Sequence, residues 1–272
     1  MTFTVLGSSG FIGSHLVSYL RAKGYEVRTP PRDVQNLAGI DLGHVIYAIG
    51  MTGNYRTQPV QTIDAHVNVL QRLMNGARFQ SWLYLSSTRV YNGLAPDISV
   101  NEETRLSCLP CLDSIYDLSK LLGESLCLAQ ENPAIRVVRL SNVYGKGMSP
   151  HLFIGAALSE IIAENKLLIR ESPESSKDYI SIDDVVRMIH DVAVSGCHRL
   201  YNIASGQATT HADLAGCMRG LGLRVDFQSA APIRTFPHID TSRMQSEFGS
   251  VQSSILKDFS DLLLAERKRR AS

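Results

Sequence analysis

Six residues into the chain a short apolar run, 2–6, meets Gly7-Ser-Ser-Gly10-Phe-Ile-Gly13, and a helical pattern follows at once. Ile12, Leu16, Tyr19 and Leu20 recur at helical spacing, and Gly24 supplies a stop. Glycines at every third place between a strand and a helix serve one physical purpose well. They allow a tight turn, a close approach of backbone to a pyrophosphate, and close packing of the helix on the strand. The N-terminus of the helix then faces the phosphate charge. A turn of this kind at the very first strand commits the chain to a parallel α/β sheet. The candidate dinucleotide contacts are Gly7, Gly10, Phe11, Ile12 and Gly13, with Ala48 at the end of a later strand.

The rest of the chain alternates accordingly. Residues 25–29, 45–49 and 82–85 read as strands, the last running into Ser86-Ser87. Residues 64–77 read as a helix with Val67, Leu70, Leu73 and Met74 on its apolar side. Residues 114–131 read as another, stopped by Asn132-Pro133. Strands follow at 135–140, 178–182 and 199–203. Several strands are apolar on both faces, as a buried parallel sheet requires. The fold class is therefore α/β, a doubly wound, Rossmann-like parallel sheet with a second, smaller α/β lobe. Residues 1–147 plus about 178–204 form the expected dinucleotide-binding domain, and about 148–177 plus 205–272 the substrate-binding lobe. Ligands are expected in the crevice at the carboxyl ends of the strands.

Composition removes other classes. With 27 basic against 26 acidic residues, the net charge of +1 gives no field for nucleic acid or an anionic membrane. No apolar run approaches the roughly 20 residues of a membrane span. The first strand begins so early that no signal peptide is expected. Five scattered cysteines point to a reducing compartment, here the cytoplasm. Cys108 and Cys111 have the spacing of a redox or zinc pair, but no second pair or nearby histidine completes a site. No metal is expected.

Tyr116 and Lys120 lie one turn apart on the helix 114–131. A tyrosine has a pKa of about 10, so ionising it near neutral pH needs roughly 4 kcal/mol of help. One positive charge about 4 Å away supplies roughly that much at an effective dielectric of about 20. Lys120 is the candidate charge. Ser114 and Asp117 fit the capping pattern Ser-x-x-Asp, which places Tyr116 in the first turn, where the helix dipole favours an anion. Ser87, at the end of a strand, is the candidate for binding the substrate oxygen.

Taken together these residues resemble the extended short-chain dehydrogenases/reductases, in their NAD-dependent epimerase/dehydratase branch that modifies nucleotide sugars. The glycine turn matches at Gly7, Gly10 and Gly13. "LYLSSTRVYNG" resembles the family strand ending in Ser-Ser-x-x-Val-Tyr-Gly, and "YDLSK" its Tyr-x-x-Ser-Lys. "RLSNVYGKGM", "KDYISIDDVV", "YNIASG" and "DTSRM" are similar to four further signatures, in order, so the likeness spans nearly the whole chain. The resemblance implies a catalytic set of Ser87, Tyr116 and Lys120, with Lys120 also holding the nicotinamide ribose. It implies substrate contacts at Ser87 and Asn142, and by analogy Arg234 on a diphosphate. The implied activity is an NAD(P)-dependent 4-epimerase or keto-sugar reductase of a nucleotide-activated sugar. A reductase of a small non-sugar carbonyl compound and a non-catalytic dinucleotide sensor are the alternatives.

Departures from the pattern carry information. Thr88 and Arg89 stand where 4,6-dehydratases have Asp-Glu, which argues against a dehydratase. His66 replaces a common asparagine, Lys177 replaces an arginine, and the stretch 30–44 is short. The acid that would bind the adenosine ribose in an NAD enzyme falls at Pro31, and Arg32 follows it. A guanidinium pairs with a 2′-phosphate, so NADP is favoured, while Asp33 keeps NAD open. Family analogy also implies a homodimer, with Leu118, Leu122 and Leu126, and Leu70 and Met74 opposite, as its apolar surface; ordinary core packing is the alternative reading of these residues.

Overall fold

The computed structural model describes residues 1–271. In chain order the strands are β1 (Thr2–Leu6), β2 (Glu26–Arg28), β3 (His44–Tyr47), β4 (Ser81–Ser87), β5 (Ser99–Val100), β6 (Ile135–Leu140) and β7 (Asn142–Tyr144). Then come β8 (Lys166–Ile169), β9 (Ser176–Ser181), β10 (Leu200–Ile203), β11 (Ala208–Thr210), β12 (Arg224–Phe227) and β13 (His238–Ile239). The first helices are α1 (Phe11–Ala22), α2 (Pro59–Ile63), α3 (Val69–Met74) and α4 (Ile115–Leu128). They are followed by α5 (Phe153–Glu164), α6 (Ile182–Ser195), α7 (His211–Gly220), α8 (Ser242–Phe248) and α9 (Ile255–Ala271).

Six parallel strands form the central sheet in the order β10-β6-β4-β3-β1-β2. This is the Rossmann-like arrangement expected. The order reverses between β1 and β3, so a crevice opens there beyond Leu6 and Tyr47. One face of the sheet packs Phe3, Val5, Ile46 and Leu83 against Leu16 and Leu20 of α1 and Ile189 of α6. On the other face Tyr47, Trp82 and Tyr84 meet Leu70 and Leu73 of α3 and Cys127 of α4. Each such fully buried large side chain contributes roughly 1.5–3 kcal/mol. A separate core joins Leu158 of α5, Leu214 and Met218 of α7 and Phe259 of α9 over the parallel pair β8 and β12.

Several local expectations change. The helix expected over 64–77 starts earlier, at Pro59, and carries a π turn over Asp64–Asn68. A proline at the first helical position needs no N–H partner, which makes it a good start. The strand expected at 178–182 is β9, and it pairs with β7 and β11 in a small three-stranded sheet instead of joining the central one. The short stretch after β2 forms no helix, and its Leu37 and Leu42 are buried in the core with Leu6, Val45 and Tyr47. Leu70 is fully buried in the core, so it is no part of an exposed interface. The Ser114–Asp117 capping pair does not form. The Ser114 hydroxyl donates to the carbonyls of Leu109 and Cys111, and Asp117 turns to Arg89. The Ser114 oxygen instead accepts from the Cys111 N–H at 2.9 Å, within the preceding turn. Among the described residues no helix is long and apolar enough to cross a membrane, and no group of metal-binding side chains is found.

Candidate active site

The crevice holds a cavity of about 820 Å³. Its floor begins at the glycine turn. Gly7 has φ +85°, and a Cβ there would lie 2.8 Å from the Ala48 carbonyl carbon. A Cβ on Gly13 would lie 2.1 Å from the Gly7 oxygen, which no side chain tolerates. The turn is closed by the Gly10 N–H, which donates to the Gly7 oxygen at 3.0 Å. No side chain caps α1 and no acid stands in its first turn, so its N-terminal N–H groups are left for an anion. Gly10, Phe11, Ile12 and Ala48 line the cavity, and Gly7 and Gly13 build the turn beneath them. These residues fit a dinucleotide pyrophosphate.

Ser87, Tyr116 and Lys120 share one wall of the cavity. Tyr116 is 5% exposed and begins the first turns of α4. Burial pushes its phenol above the ordinary value, while the Ser87 hydroxyl, the Arg89 guanidinium and the Thr52 hydroxyl pull it back. Lys120 donates from Nζ to the Leu85 carbonyl at 2.8 Å. Burial pushes its ammonium down to about 7, against the pull of Glu124. Lys120 Nζ lies 6.0 Å from the Tyr116 ring centre, whereas the Arg89 Cζ lies 4.7 Å from it. The nearer cation is thus Arg89, which the sequence reading treated only as a departure from the dehydratases. Its place two residues after Ser87 was the available signal.

His66 was read only as the replacement of a common asparagine, and Glu124 and Arg139 were not foreseen. His66, placed by the π turn, accepts from the Met51 N–H at Nε2 (3.2 Å). That leaves the Nδ1 proton to donate to the Ser119 hydroxyl at 2.8 Å, and Ser119 donates to the Tyr116 carbonyl. Burial and then Lys120 push the imidazole down to about 2, so it stays neutral. The chain links the 50–52 loop to the start of α4. One turn beyond Lys120, Glu124 is 3% exposed and accepts from Ser86 and from Arg139 Nη2 at 2.7 Å. Arg139 in turn donates to Tyr91 at 2.8 Å, whose hydroxyl bonds Asn202. This buried ion pair clamps α4 to β4 and β6, and so sets Tyr116 and Lys120 against Ser87.

Asn142 lines the cavity, but its amide nitrogen donates to the Asp178 carbonyl at 2.8 Å, which leaves its oxygen for a ligand. Arg234 also lines it, 61% exposed. With Lys177 it flanks Glu171, at 3.6 and 3.3 Å. Behind them Phe153 stacks on the buried His211 ring at 4.4 Å. Arg32 stands apart from this cavity, exposed in a turn closed by Val34 N–H to Pro31 O. Arg28 is taken up by Glu26 and the Asp41 carbonyl.

A model of the family described as "NAD dependent epimerase/dehydratase family" matches residues 3–204. The chain belongs to that family. It is an enzyme, which removes the sensor alternative, and NAD(P) is its cofactor. A dTDP-4-dehydro-6-deoxy-D-allose reductase from Streptomyces sp is 24% identical over 89% of this chain and 89% of its own length. A GDP-6-deoxy-D-mannose reductase from Pseudomonas aeruginosa is 28% identical over 75% of this chain and 74% of its own. The solved structure of MoeE5 in complex with UDP-glucose and NAD shares the fold at a TM-score of 0.82 and 23% identity, with 100% of both chains covered.

Proposed function

We propose that this enzyme reduces the ring carbonyl of a nucleotide-activated keto-sugar. The observation that carries the reading is one cavity holding three things together: the glycine turn, the Tyr116–Ser87 hydroxyls, and the Lys177–Arg234 cations. The reductase activities of the two curated relatives support it. A bound nicotinamide supplies the hydride. Ser87 donates a hydrogen bond to the carbonyl oxygen, and Tyr116 gives that oxygen its proton as the alcohol forms. Lys120 holds the nicotinamide ribose and adds positive charge. Asn142 offers its amide oxygen to the sugar, and Lys177 and Arg234 take the diphosphate. A small non-sugar carbonyl compound has no use for that cation pair. Residues 148–177 and 205–272, which supply Phe153 and Arg234, are the substrate-binding lobe in this reading.

A 4-epimerase runs the same half-reaction in both directions with the same side chains. One experiment separates the two. Nucleotide keto-sugars and 4-hydroxy sugars are incubated with NADPH or NADH, and cofactor absorbance and NMR are followed. Net loss of reduced cofactor with a keto-sugar is the expected result, several-fold faster with NADPH. Arg32, whose guanidinium is free to pair with a 2′-phosphate, carries that preference, and Arg32→Ala should remove it. Interchange of 4-hydroxy epimers without net cofactor change would replace reductase by epimerase. No conversion of any nucleotide sugar would overturn both.

The exposed apolar side chains Val60, Ile63 and Leu122, at 73, 38 and 50%, lie on the neighbouring α2 and α4. Leu118 and Leu126 are half-buried beside them. This face supports a homodimer, and light scattering should give twice the chain mass at micromolar concentration; a monomer there would rule it out. The five unpaired thiols support a reducing, cytoplasmic location, which fractionation of the source cells would test.

A further inference from the structure

Arg89 has more hydrogen-bonding capacity than the protein fills. It sits in the 3-10 turn Thr88–Tyr91 that follows β4, and its side chain is 31% exposed, on the cavity wall. The guanidinium is wedged between the rings of Tyr55 and Tyr116, 5.0 and 4.7 Å from their centres. Its Nη2 donates to the Tyr55 hydroxyl at 3.3 Å. Its Nε lies 3.2 Å from Asp117 Oδ1, yet both atoms are buried and neither makes a hydrogen bond. Asp117 therefore balances the charge without filling the donors. A guanidinium carries five N–H groups, and buried donors demand acceptors. Among the described residues Tyr55 and Asp117 are its side-chain partners, and Nη1 makes no hydrogen bond.

The position of this fork is specific. The Arg89 backbone N–H donates to the Ser87 hydroxyl at 3.3 Å, and its side chain covers the Tyr116 ring. Arg89 therefore adjoins both hydroxyl-bearing residues assigned above to the substrate oxygen. Lys177 and Arg234, assigned to the diphosphate above, are ion-paired with Glu171, and Lys177 also feels the Arg89 charge. The other groups facing Tyr116 do not compete for an anion here: His66 is held by Met51 and Ser119, and Lys120 by the Leu85 carbonyl.

We propose that Arg89 is a specificity residue for an acidic substituent on the sugar ring, so that the preferred substrate is a nucleotide-activated uronic acid. A planar carboxylate can take two charge-assisted bonds at the Nη1/Nη2 end of the guanidinium, which a single hydroxyl cannot. The inference rests on the nucleotide-sugar reading above and narrows it to one substrate class.

The test uses calorimetric binding to the enzyme in the presence of its dinucleotide. UDP-glucuronic acid and UDP-glucose differ only at C6, and UDP alone serves as the control. Wild type should bind the uronate about tenfold more tightly than the neutral sugar, the worth of a charged hydrogen-bond pair. Arg89→Gln should bring the ratio to about one with UDP affinity unchanged, and Arg89→Lys should restore part of it. Retained UDP binding and an unchanged melting temperature show that the variants are folded. A wild type without uronate preference, or a preference that survives Arg89→Gln, would overturn the proposal. An equal loss of UDP affinity in Arg89→Gln would make Arg89 a diphosphate ligand and overturn it too. Failure of wild type to bind UDP, GDP, dTDP or their sugars would instead bring down the nucleotide-sugar reading, and this proposal with it.

Discussion

Tyr116→Phe is expected to lower turnover by roughly 10²–10⁴-fold, the range lost with a positioned proton donor. The ring survives, so its packing against Tyr55 at 5.7 Å and His66 at 5.4 Å survives as well. Only the hydroxyl that meets Ser87 and Thr52 is removed. Dinucleotide affinity should stay within about twofold, because the Gly7–Gly13 turn and the start of α1 are untouched. The measurement is single-turnover reduction beside calorimetric binding of the cofactor. Full activity in the variant would sink the assignment of Tyr116 as proton donor.

The second large effect is on stability. Glu124→Ala should cost about 3–5 kcal/mol, because it leaves the Arg139 guanidinium buried at 4% exposure without its counter-charge. Ser86 loses its acceptor and the bonds from Arg139 to Tyr91 lose their anchor in the same step. For a chain of this size that is a fall in melting temperature on the order of 10 °C. Replacing both partners, Glu124→Met with Arg139→Met, removes the stranded charge and should recover most of the loss. A melting temperature unchanged by Glu124→Ala would show that the pair holds nothing together. If the double variant is stable but slow, the pair also positions α4 for Tyr116 and Lys120.

Dimension by dimension, the glycine turn, the alternation of strands and helices, and the spacing of Tyr116 and Lys120 were legible because each is local. A turn glycine answers to its own φ and to backbone a few residues away, and a strand apolar on both faces shows its burial in its own composition. The π turn at His66 was not legible, since one extra residue in a helix leaves no mark in a 3.6-residue pattern. The capping pair Ser114–Asp117 was read and did not form, because the Ser114 oxygen accepts from the Cys111 N–H in the preceding turn and Asp117 pairs with Arg89. Leu70 was left open between a dimer surface and the core, and it lies in the core, because helical periodicity identifies an apolar side without saying what covers it.

The sequence by itself determined the parallel α/β sheet, the cradle at residues 7–13, and which hydroxyl and amine stand one turn apart. Those are matters of short-range sterics and periodicity. The tertiary structure alone decided that Arg89 lies nearer the Tyr116 ring than Lys120 does, that Glu124 and Arg139 close over the sheet, and that Lys177 and Arg234 meet at Glu171. These are encounters between side chains carried by different elements of the fold. Their strength depends on distance and burial, and no pattern along the chain specifies either quantity.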